Sequence, residues 1–284
     1  MASLGVDPCA TEPFAPEYAS LLKEFMNGGT FSQWQWVRDY KIDPNTLKLY
    51  SRHRGTSTLK EFLVYGEIDA CKEKLIELIV QMTQRSKWDD TYVEHHIVHP
   101  AKNGSDVIFS VSKYPFPLSK RTYIIKRTLY GSMDDVVVLV SKVIPYEHSS
   151  RFKWSTKVED FESILMLRNH EGREACDMLA TYYENPKVIL PNMYLNSIIE
   201  TLVPRILEKM VIACKKYGSD QSPIYCNSLY CVPIDSGDGS PQSSEGGPSS
   251  PKDSSAIGGT CPSQSGDIHQ DSATPSQRLE VQGA

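Results

Sequence analysis

The chain has 284 residues and a formal net charge of −5 at pH 7. Residues 219–284 hold eight acidic and two basic side chains, a net of −6, so residues 1–218 are close to neutral at +1. A near-neutral folded part lacks the basic face typical of nucleic-acid-binding proteins, and no run of residues approaches the roughly 18–20 apolar residues of a membrane-spanning helix. We therefore expect neither a nucleic-acid partner nor an integral membrane protein.

The cysteines and the N-terminus favour a cytoplasmic setting. The seven cysteines are scattered without a CxxC pair, which is typical of free thiols in a reducing compartment. The first residues have neither the basic start nor the apolar core of a secretory signal. We expect residues 1–16 to be flexible and the protein to be cytoplasmic, with peripheral contact with membranes.

The first 90 residues predict two helical regions on either side of a strand pair. In the first region Asn27-Gly28-Gly29 ends one helix, and a second short helix carries Trp34 and Trp36. A Gly-Thr-Ser turn joins the two strands. Asp69 is placed to cap the later helix, which is amphipathic. The predicted bounds are residues 17–39 for the first helical region, 47–54 and 59–67 for the strands, and 70–84 for the later helix.

The next 130 residues, roughly, predict a series of strands followed by one long helix. Turn signals such as Asn103-Gly104 and Glu171-Gly172 separate β-prone segments, as in an antiparallel meander. An apolar stripe at helical spacing indicates a helix over residues 192–217, which Pro204 should kink. The predicted strands are residues 92–99, 107–113, 123–130, 136–143, 154–166 and 176–183.

These elements predict an α+β domain over residues 17–218. The simplest packing is one curved antiparallel β-sheet wrapped around the long C-terminal helix. Residues 219–284 are rich in Ser, Gly, Pro and Asp, and such a segment buries too little apolar surface to fold, so we expect a disordered acidic tail. The tail contains four targets for proline-directed phosphorylation, Ser222-Pro223, Ser240-Pro241, Ser250-Pro251 and Thr274-Pro275.

The sequence contains none of the common catalytic motifs. It has no GxSxG, HExxH, GxxxxGK[ST] or GxGxxG pattern, which are the signatures of hydrolases, zinc proteases and nucleotide-binding proteins. His95, His96 and His99 form the densest histidine group, but on a strand His96 points away from the other two. A zinc site needs further ligands. We therefore predict no catalytic residue, no metal site and no enzyme activity.

Three local motifs are distinctive. Residues 85–89 read RSKWD after the amphipathic helix. Residues 113–123 read KYPFPLSKRTY, where Pro115 and Pro117 force the chain out of one strand before it enters the next. Residues 182–186 read YYENP and precede the long helix. On pattern alone the proline-rich link is a stiff connection with two packed rings.

Taken together and in this order, the motifs resemble those of the START (StAR-related lipid transfer) domain family. The resemblance implies a helix-grip fold with a lipid-sized cavity and the C-terminal helix as its lid. It implies a bound lipid as the ligand, and no cofactor.

The resemblance also implies a phosphate-binding arginine. Arg85 falls where the phosphatidylcholine-binding members of the family hold the lipid phosphate, and a guanidinium can contact two phosphate oxygens at once. The alternative is a surface arginine near a helix end. Arg121 is a second candidate, although we favour a structural pair with Asp89.

An aromatic cage for a choline group is implied as well. Tyr123, Phe161 and Tyr182 fall at cage positions, with Tyr114 as a further lipid-binding residue, and aromatic faces attract quaternary ammonium groups. Each ring could equally belong to an ordinary core. The sequence departs from the family pattern at Ser110, Ile79 and Thr122, so phosphatidylethanolamine or another amphiphile stays open beside phosphatidylcholine.

The expected function is transfer of a single glycerophospholipid between membranes. The long helix would open and touch the membrane, through the lid residues Leu195, Ile199, Leu202, Arg205, Ile206 and Lys209. A second hypothesis is a lipid-sensing interaction module whose phosphorylatable tail recruits a protein partner.

Overall fold

The computed structural model describes residues 7–10, 12–42, 44–116, 118–132, 134–146, 154–185, 187, 191–217 and 231–234. Most of the predicted tail therefore lies outside the described residues. The elements, in chain order, are α1 (Pro16–Met26), β1 (Gln35–Ile42), β2 (Asn45–His53), β3 (Lys60–Ile68), α2 (Lys72–Val80), α3 (Met82–Trp88), β4 (Tyr92–Lys102), β5 (Ser105–Ser112), β6 (Arg121–Gly131), β7 (Val136–Val143), β8 (Thr156–Lys157), β9 (Phe161–Asn169), β10 (Cys176–Glu184) and α4 (Asn192–Tyr217).

One large sheet organises the described part of the chain. Its strands follow the order β1-β2-β3-β10-β9-β7-β6-β5-β4 with antiparallel neighbours, and the short β8 pairs in parallel with the start of β6. The predicted α+β class is confirmed: α4 packs on one face of an antiparallel sheet, in the helix-grip arrangement. The Asn103-Gly104 turn between β4 and β5 has positive φ at both residues, 49° and 78°, as a tight hairpin turn requires.

Both faces of the central strands are covered. On β9, Leu165 and Leu167 join the core with α2 and α4, whereas Ile164 and Met166 join the core beneath α1. Alternate residues of a strand point to opposite faces. A strand buried on both faces reads as a continuous apolar run, which explains the sequence ILML at this point.

A buried carboxylate ties α1 to the sheet. Glu162 on β9 accepts hydrogen bonds from the Tyr18 hydroxyl and from Arg54, and lies 3.1 Å from Lys142 Nζ. Burial acts to raise the pKa of Glu162, but the Tyr18 hydrogen bond and the two cations outweigh it and hold the pKa below its ordinary value of 4.5. The carboxylate is therefore more stable ionised in the folded protein than in the unfolded chain.

The long helix α4 runs through Pro204. Proline has no backbone N–H, so the carbonyl of Glu200, four residues earlier, loses its usual helical partner. The Tyr40 hydroxyl on β1 donates to that carbonyl at 2.6 Å. Arg38 also pairs with the Glu200 carboxylate at 2.7 Å. The edge strand β1 thus compensates the proline and fixes this part of α4.

Four local predictions were wrong. The segment with Trp34 and Trp36 does not form a short helix, because residues 35–42 pair with β2 instead. The helix predicted over 70–84 is broken at Gln81, whose backbone is extended. Asp69 does not cap α2, since Cys71 is the N-cap residue and the Lys72 N–H donates to Asn169 Oδ1 at 2.8 Å. The strand predicted over 154–166 is two strands, β8 and β9.

The two ends of the domain differ from expectation in the described residues. Before α1, where we expected a flexible segment, Cys9 is buried against the outer side of β5, and the Ala10 carbonyl accepts a hydrogen bond from Lys126 Nζ at 2.5 Å. Within the predicted disordered tail, Val232 makes a parallel bridge to Tyr130 on β6. The Val232 N–H donates to the Leu129 carbonyl and the Val232 carbonyl accepts from Gly131, both at 2.8 Å.

Candidate functional site

A cavity of about 250 Å³ lies between the sheet and α4. Strand residues line most of it, and α4 supplies one apolar wall. From α4 the lining residues are Leu202, Val203, Ile206, Leu207 and Met210. The cavity is therefore closed on one side by a helix that packs on the sheet mainly through apolar side chains.

The structure brings the four predicted aromatic residues together in this cavity. Tyr114, Tyr123, Phe161 and Tyr182 all line it. The Phe161 ring packs edge-to-face against Tyr123 and Tyr182, with both centroid distances 5.7 Å. The rings come from the proline-rich link, β6, β9 and β10, so four separate chain segments converge on one aromatic site.

A carboxylate that sequence analysis did not single out lies behind these rings. Glu184 is the last residue of β10 and is 2% exposed. Its Oε2 accepts hydrogen bonds from the hydroxyls of Tyr114 at 2.6 Å, Tyr123 at 3.0 Å and Tyr182 at 2.5 Å. We call these three residues the tyrosine cluster. Glu184 is the acidic residue of the YYENP motif, and this motif is the sequence feature from which the residue could have been identified.

Burial shifts the pKa values of the tyrosine cluster and of its carboxylate in the same direction. Burial raises the pKa of each of the three tyrosines, so their hydroxyls stay protonated and act as donors. Burial also raises the pKa of Glu184, while the tyrosine hydroxyls and the charge of Arg121 oppose that rise. Burial outweighs these opposing contacts, and the pKa of Glu184 stays above its ordinary value.

Arg85 also lines the cavity. Its Nε and Nη2 donate to Asp89 Oδ2 at 3.2 and 3.1 Å. The guanidinium carbon lies 5.3 Å from the Trp88 ring centroid and 4.9 Å from that of Tyr92. Burial alone would lower the pKa of Arg85, but Tyr92 and Asp89 raise it. The charged guanidinium is therefore held at the cavity wall by one carboxylate and two rings.

The structure contradicts the expected pair between Arg121 and Asp89. Asp89 pairs with Arg85 and accepts a further hydrogen bond from the Thr91 hydroxyl at 2.5 Å. Arg121 is fully buried elsewhere, with Nη1 donating to the Ser119 carbonyl at 2.7 Å and the guanidinium 5.1 Å from the Tyr114 ring. Arg85 and Asp89 are four residues apart at the end of α3, a spacing at which side chains of a helix are neighbours.

The three departures from the family pattern occupy different places. Ser110 and Ile79 line the cavity, and Ser110 lies directly opposite Tyr123 in the pairing of β5 with β6. A small side chain there leaves room beside the ring. Thr122 points to the other face of β6 from Tyr123 and donates to Ser155 Oγ at 2.5 Å. Two of the three departures therefore change the lining of the cavity.

A second arginine in the cavity was missed by sequence analysis. Arg127 lines the cavity and makes two hydrogen bonds to Asp106, at 2.8 and 2.5 Å. It follows Tyr123 and Ile125 at every second residue of β6, so strand periodicity could have placed it on the same face. Its charge is balanced by Asp106, and it also donates to the Val80 carbonyl at 3.0 Å.

The predicted lid residues of α4 have different surroundings. Leu202 and Ile206 line the cavity, and Arg205 is exposed. Lys209, which we expect to contact a membrane, pairs with Asp90 in the turn after α3, at 2.5 Å. The side chains of Leu195 and Ile199 lie outside the described residues.

Among the residues that the structure describes, no three His, Cys, Asp or Glu side chains are grouped to hold a metal ion. His95 Nε2 lies 3.1 Å from the Met82 carbonyl oxygen, and His96 stacks on Phe109. Over the same described residues, no helix is both long enough and apolar enough to span a membrane.

Comparison with known proteins agrees with the fold described above. The START domain profile matches residues 17–220. StAR-related lipid transfer protein 7, mitochondrial, from mouse is 26% identical over 188 residues, which are 64% of this chain and 49% of that protein. Phosphatidylcholine transfer protein from rat is 25% identical over 210 residues, 72% of this chain and 94% of that protein. The chain thus spans about half the length of the first of these relatives.

Solved structures give the same fold. Human STARD10 matches with a TM-score of 0.62 at 18% identity, over 74% of this chain and 82% of that one. Human StAR-related lipid transfer protein 5 matches with a TM-score of 0.59 at 11% identity, over 70% and 95%. At such identities the likeness concerns the fold alone. The profile, however, covers well over half of the sequence, and the chain belongs to the START domain family.

Proposed function

We propose that this protein binds a single glycerophospholipid in its cavity and carries it between membranes, without enzymatic turnover. The observation that carries the proposal is one cavity that combines an apolar wall from α4 with a charged arginine and four aromatic rings. Acyl chains fit the first feature. A phosphate suits the arginine, and a cationic headgroup suits the aromatic rings.

Free-energy considerations favour transfer over permanent storage. Burial of acyl chains contributes ~0.8 kcal/mol per methylene, but the same methylenes are already buried in a bilayer. The apolar contribution therefore largely cancels between membrane and cavity. Selection among lipids depends on the headgroup, which we propose meets Arg85 through its phosphate and the aromatic rings through its ammonium.

The proposed headgroup is phosphatidylcholine-like. The aromatic site supplies ring faces for a trimethylammonium group, as the relationship to phosphatidylcholine transfer protein also suggests. Ser110 occupies the position where the family pattern has a tryptophan, so the site has one ring fewer. A smaller ring set weakens the preference for choline over ethanolamine, and phosphatidylethanolamine is the second lipid to test.

Two exposed aromatic side chains suit contact with a membrane. Phe116 in the proline-rich link is 92% exposed, and Trp154 before β8 is 93% exposed. Their segments are joined, since Ser119 Oγ lies 2.9 Å from Thr156 Oγ1. Large aromatic side chains favour the membrane–water interface. We propose that these two rings anchor the protein transiently while α4 moves aside, and we keep the cytoplasm as the proposed location.

The test is direct. The full chain is purified, its bound lipid is extracted and identified by mass spectrometry, and transfer of labelled phosphatidylcholine between donor and acceptor vesicles is measured. We expect co-purified glycerophospholipid and protein-dependent transfer. A protein that carries no lipid and leaves the vesicle exchange rate unchanged would contradict the proposal. Trp154→Ala, on a side chain with little packing to lose, should slow transfer while leaving bound lipid unchanged.

A further inference from the structure

The three hydroxyls of the tyrosine cluster converge on one oxygen of Glu184. The rings line the cavity, whereas Glu184 lies behind them and is nearly inaccessible. The rings belong to the proline-rich link, β6 and β10. A single carboxylate therefore fixes the orientation of side chains from three separate segments.

The direction of these hydrogen bonds decides what the cavity offers to a ligand. A tyrosine hydroxyl has one hydrogen to donate. The three hydroxyls share Glu184 Oε2 as an acceptor, and the Tyr114 hydroxyl also lies 3.0 Å from that of Tyr182 and 3.4 Å from that of Tyr123. Every hydroxyl hydrogen is therefore used within the cluster and its carboxylate. What the rings then present to the cavity is π-electron density and oxygen lone pairs, without an O–H donor. Such a surface attracts a cation and gives no hydrogen bond to a headgroup that must accept one.

Net charge is not the source of this preference. Arg121 is buried beside the cluster, 5.1 Å from the Tyr114 ring centroid, and its charge acts on Glu184. As ions, Arg121 and Glu184 carry opposite charges, so the pair adds no net charge beside the cluster. The selective element is therefore the fixed orientation of the hydroxyls and ring faces.

We propose that Glu184 is a positioning residue that makes the cavity selective for lipids with cationic headgroups. This inference rests on the proposed function and deepens it. Glu184 holds the tyrosine cluster so that choline or ethanolamine headgroups bind better than glycerol headgroups of otherwise identical lipids. It acts through the tyrosines and does not itself touch the lipid.

The test compares headgroups within one protein. Full-length wild type and Glu184→Gln are assayed for transfer of phosphatidylcholine, phosphatidylethanolamine and phosphatidylglycerol with matched acyl chains. An amide oxygen is neutral and holds three hydroxyl donors less firmly than a carboxylate oxygen does. We expect the ratio of phosphatidylcholine to phosphatidylglycerol transfer to fall by roughly tenfold, because the ring faces are no longer held for the ammonium. Glu184→Asp, which keeps the carboxylate, should retain more of the ratio.

A matched control is available nearby, where Asp160 precedes β9 and Tyr183 lies on β10. Asp160 accepts a hydrogen bond from the Tyr183 hydroxyl at 3.3 Å, and neither residue lines the cavity. Asp160→Asn should leave the headgroup ratio unchanged. If Glu184→Gln slows transfer of all lipids equally and keeps the ratio, Glu184 is structural and the proposal is wrong. If wild type transfers no phospholipid, the proposed function itself fails. Should Glu184→Gln not fold, Tyr182→Phe must lower the same ratio, and an unchanged ratio overturns the proposal.

Discussion

Arg85 has two roles that a single substitution would confuse. It is the proposed phosphate ligand, and it is also the cation paired with the buried Asp89. Removing it leaves Asp89 without a counter-ion. Breaking a buried pair in this way costs about 3–5 kcal/mol. Because Arg85 is about a quarter exposed and Asp89 keeps its hydrogen bonds to Thr91, we expect a loss of about 1–3 kcal/mol.

A double substitution separates the two roles. Arg85→Met keeps the packing of the side-chain stem against the Trp88 and Tyr92 rings, and should lower the unfolding midpoint by about 2–4 °C per kcal/mol lost. Adding Asp89→Asn removes the unpaired charge and should restore most of that stability. Phosphate recognition is not restored, so phospholipid transfer should stay at least tenfold below wild type in both variants, as loss of a hydrogen bond to a charged group predicts.

Thermal unfolding by circular dichroism and vesicle transfer are measured on the same full-length samples. Arg52→Met is the matched control, since Arg52 pairs with the buried Glu61 at 2.8 Å and stacks 4.1 Å from the Trp34 ring, outside the cavity. It should lower stability without lowering transfer. If the double variant regained both stability and transfer, Arg85 would be only the structural partner of Asp89 and the phosphate role would be refuted.

Three further predictions concern stability and the lid. Glu162→Gln should lower the free energy of unfolding by about 1–3 kcal/mol at pH 7. Because the pKa of Glu162 in the folded protein lies below 4.5, the advantage of wild type over the variant should shrink as the pH falls below 4.5. Urea titrations that gave the same difference at pH 7 and pH 3.5 would contradict this. Tyr40→Phe leaves the Glu200 carbonyl without its donor and should cost about 0.5–1.5 kcal/mol, measured as a shift of the urea midpoint. Asp90→Asn removes the ion pair between Asp90 and Lys209 of α4. Because an exposed pair contributes about 0–1 kcal/mol, lipid transfer should speed up by about fivefold at most at low salt and should not change at high salt. Slower transfer at both salt concentrations would show that this pair does not restrain the lid.

Sequence alone predicted most of the strands and the long helix, because their periodicities are clear. The predictions that were wrong concern segments whose secondary structure is decided by contacts with distant parts of the chain. Residues around Trp36 have apolar side chains at helical spacing, but pairing with β2 imposes a strand, as tertiary context often does. For the site, the aromatic residues were found through motifs. Glu184 was not, because its role depends on three hydroxyls from separate segments, and that convergence is visible only in the folded chain.

The bridge at Val232 has a practical consequence for truncated forms of this protein. Cutting the chain after α4 would leave the Leu129 carbonyl and the Gly131 N–H without their partners. Unpaired groups on an edge of a sheet are a template for pairing with another molecule. β6 lies inside the sheet, but its last residues extend past the end of its pairing with β5. A fragment ending near residue 218 should therefore self-associate at this uncovered end of β6, and gel filtration would detect the dimer. We therefore expect residues 231–234 to protect the protein from self-association, although they belong to a tail whose composition predicts disorder.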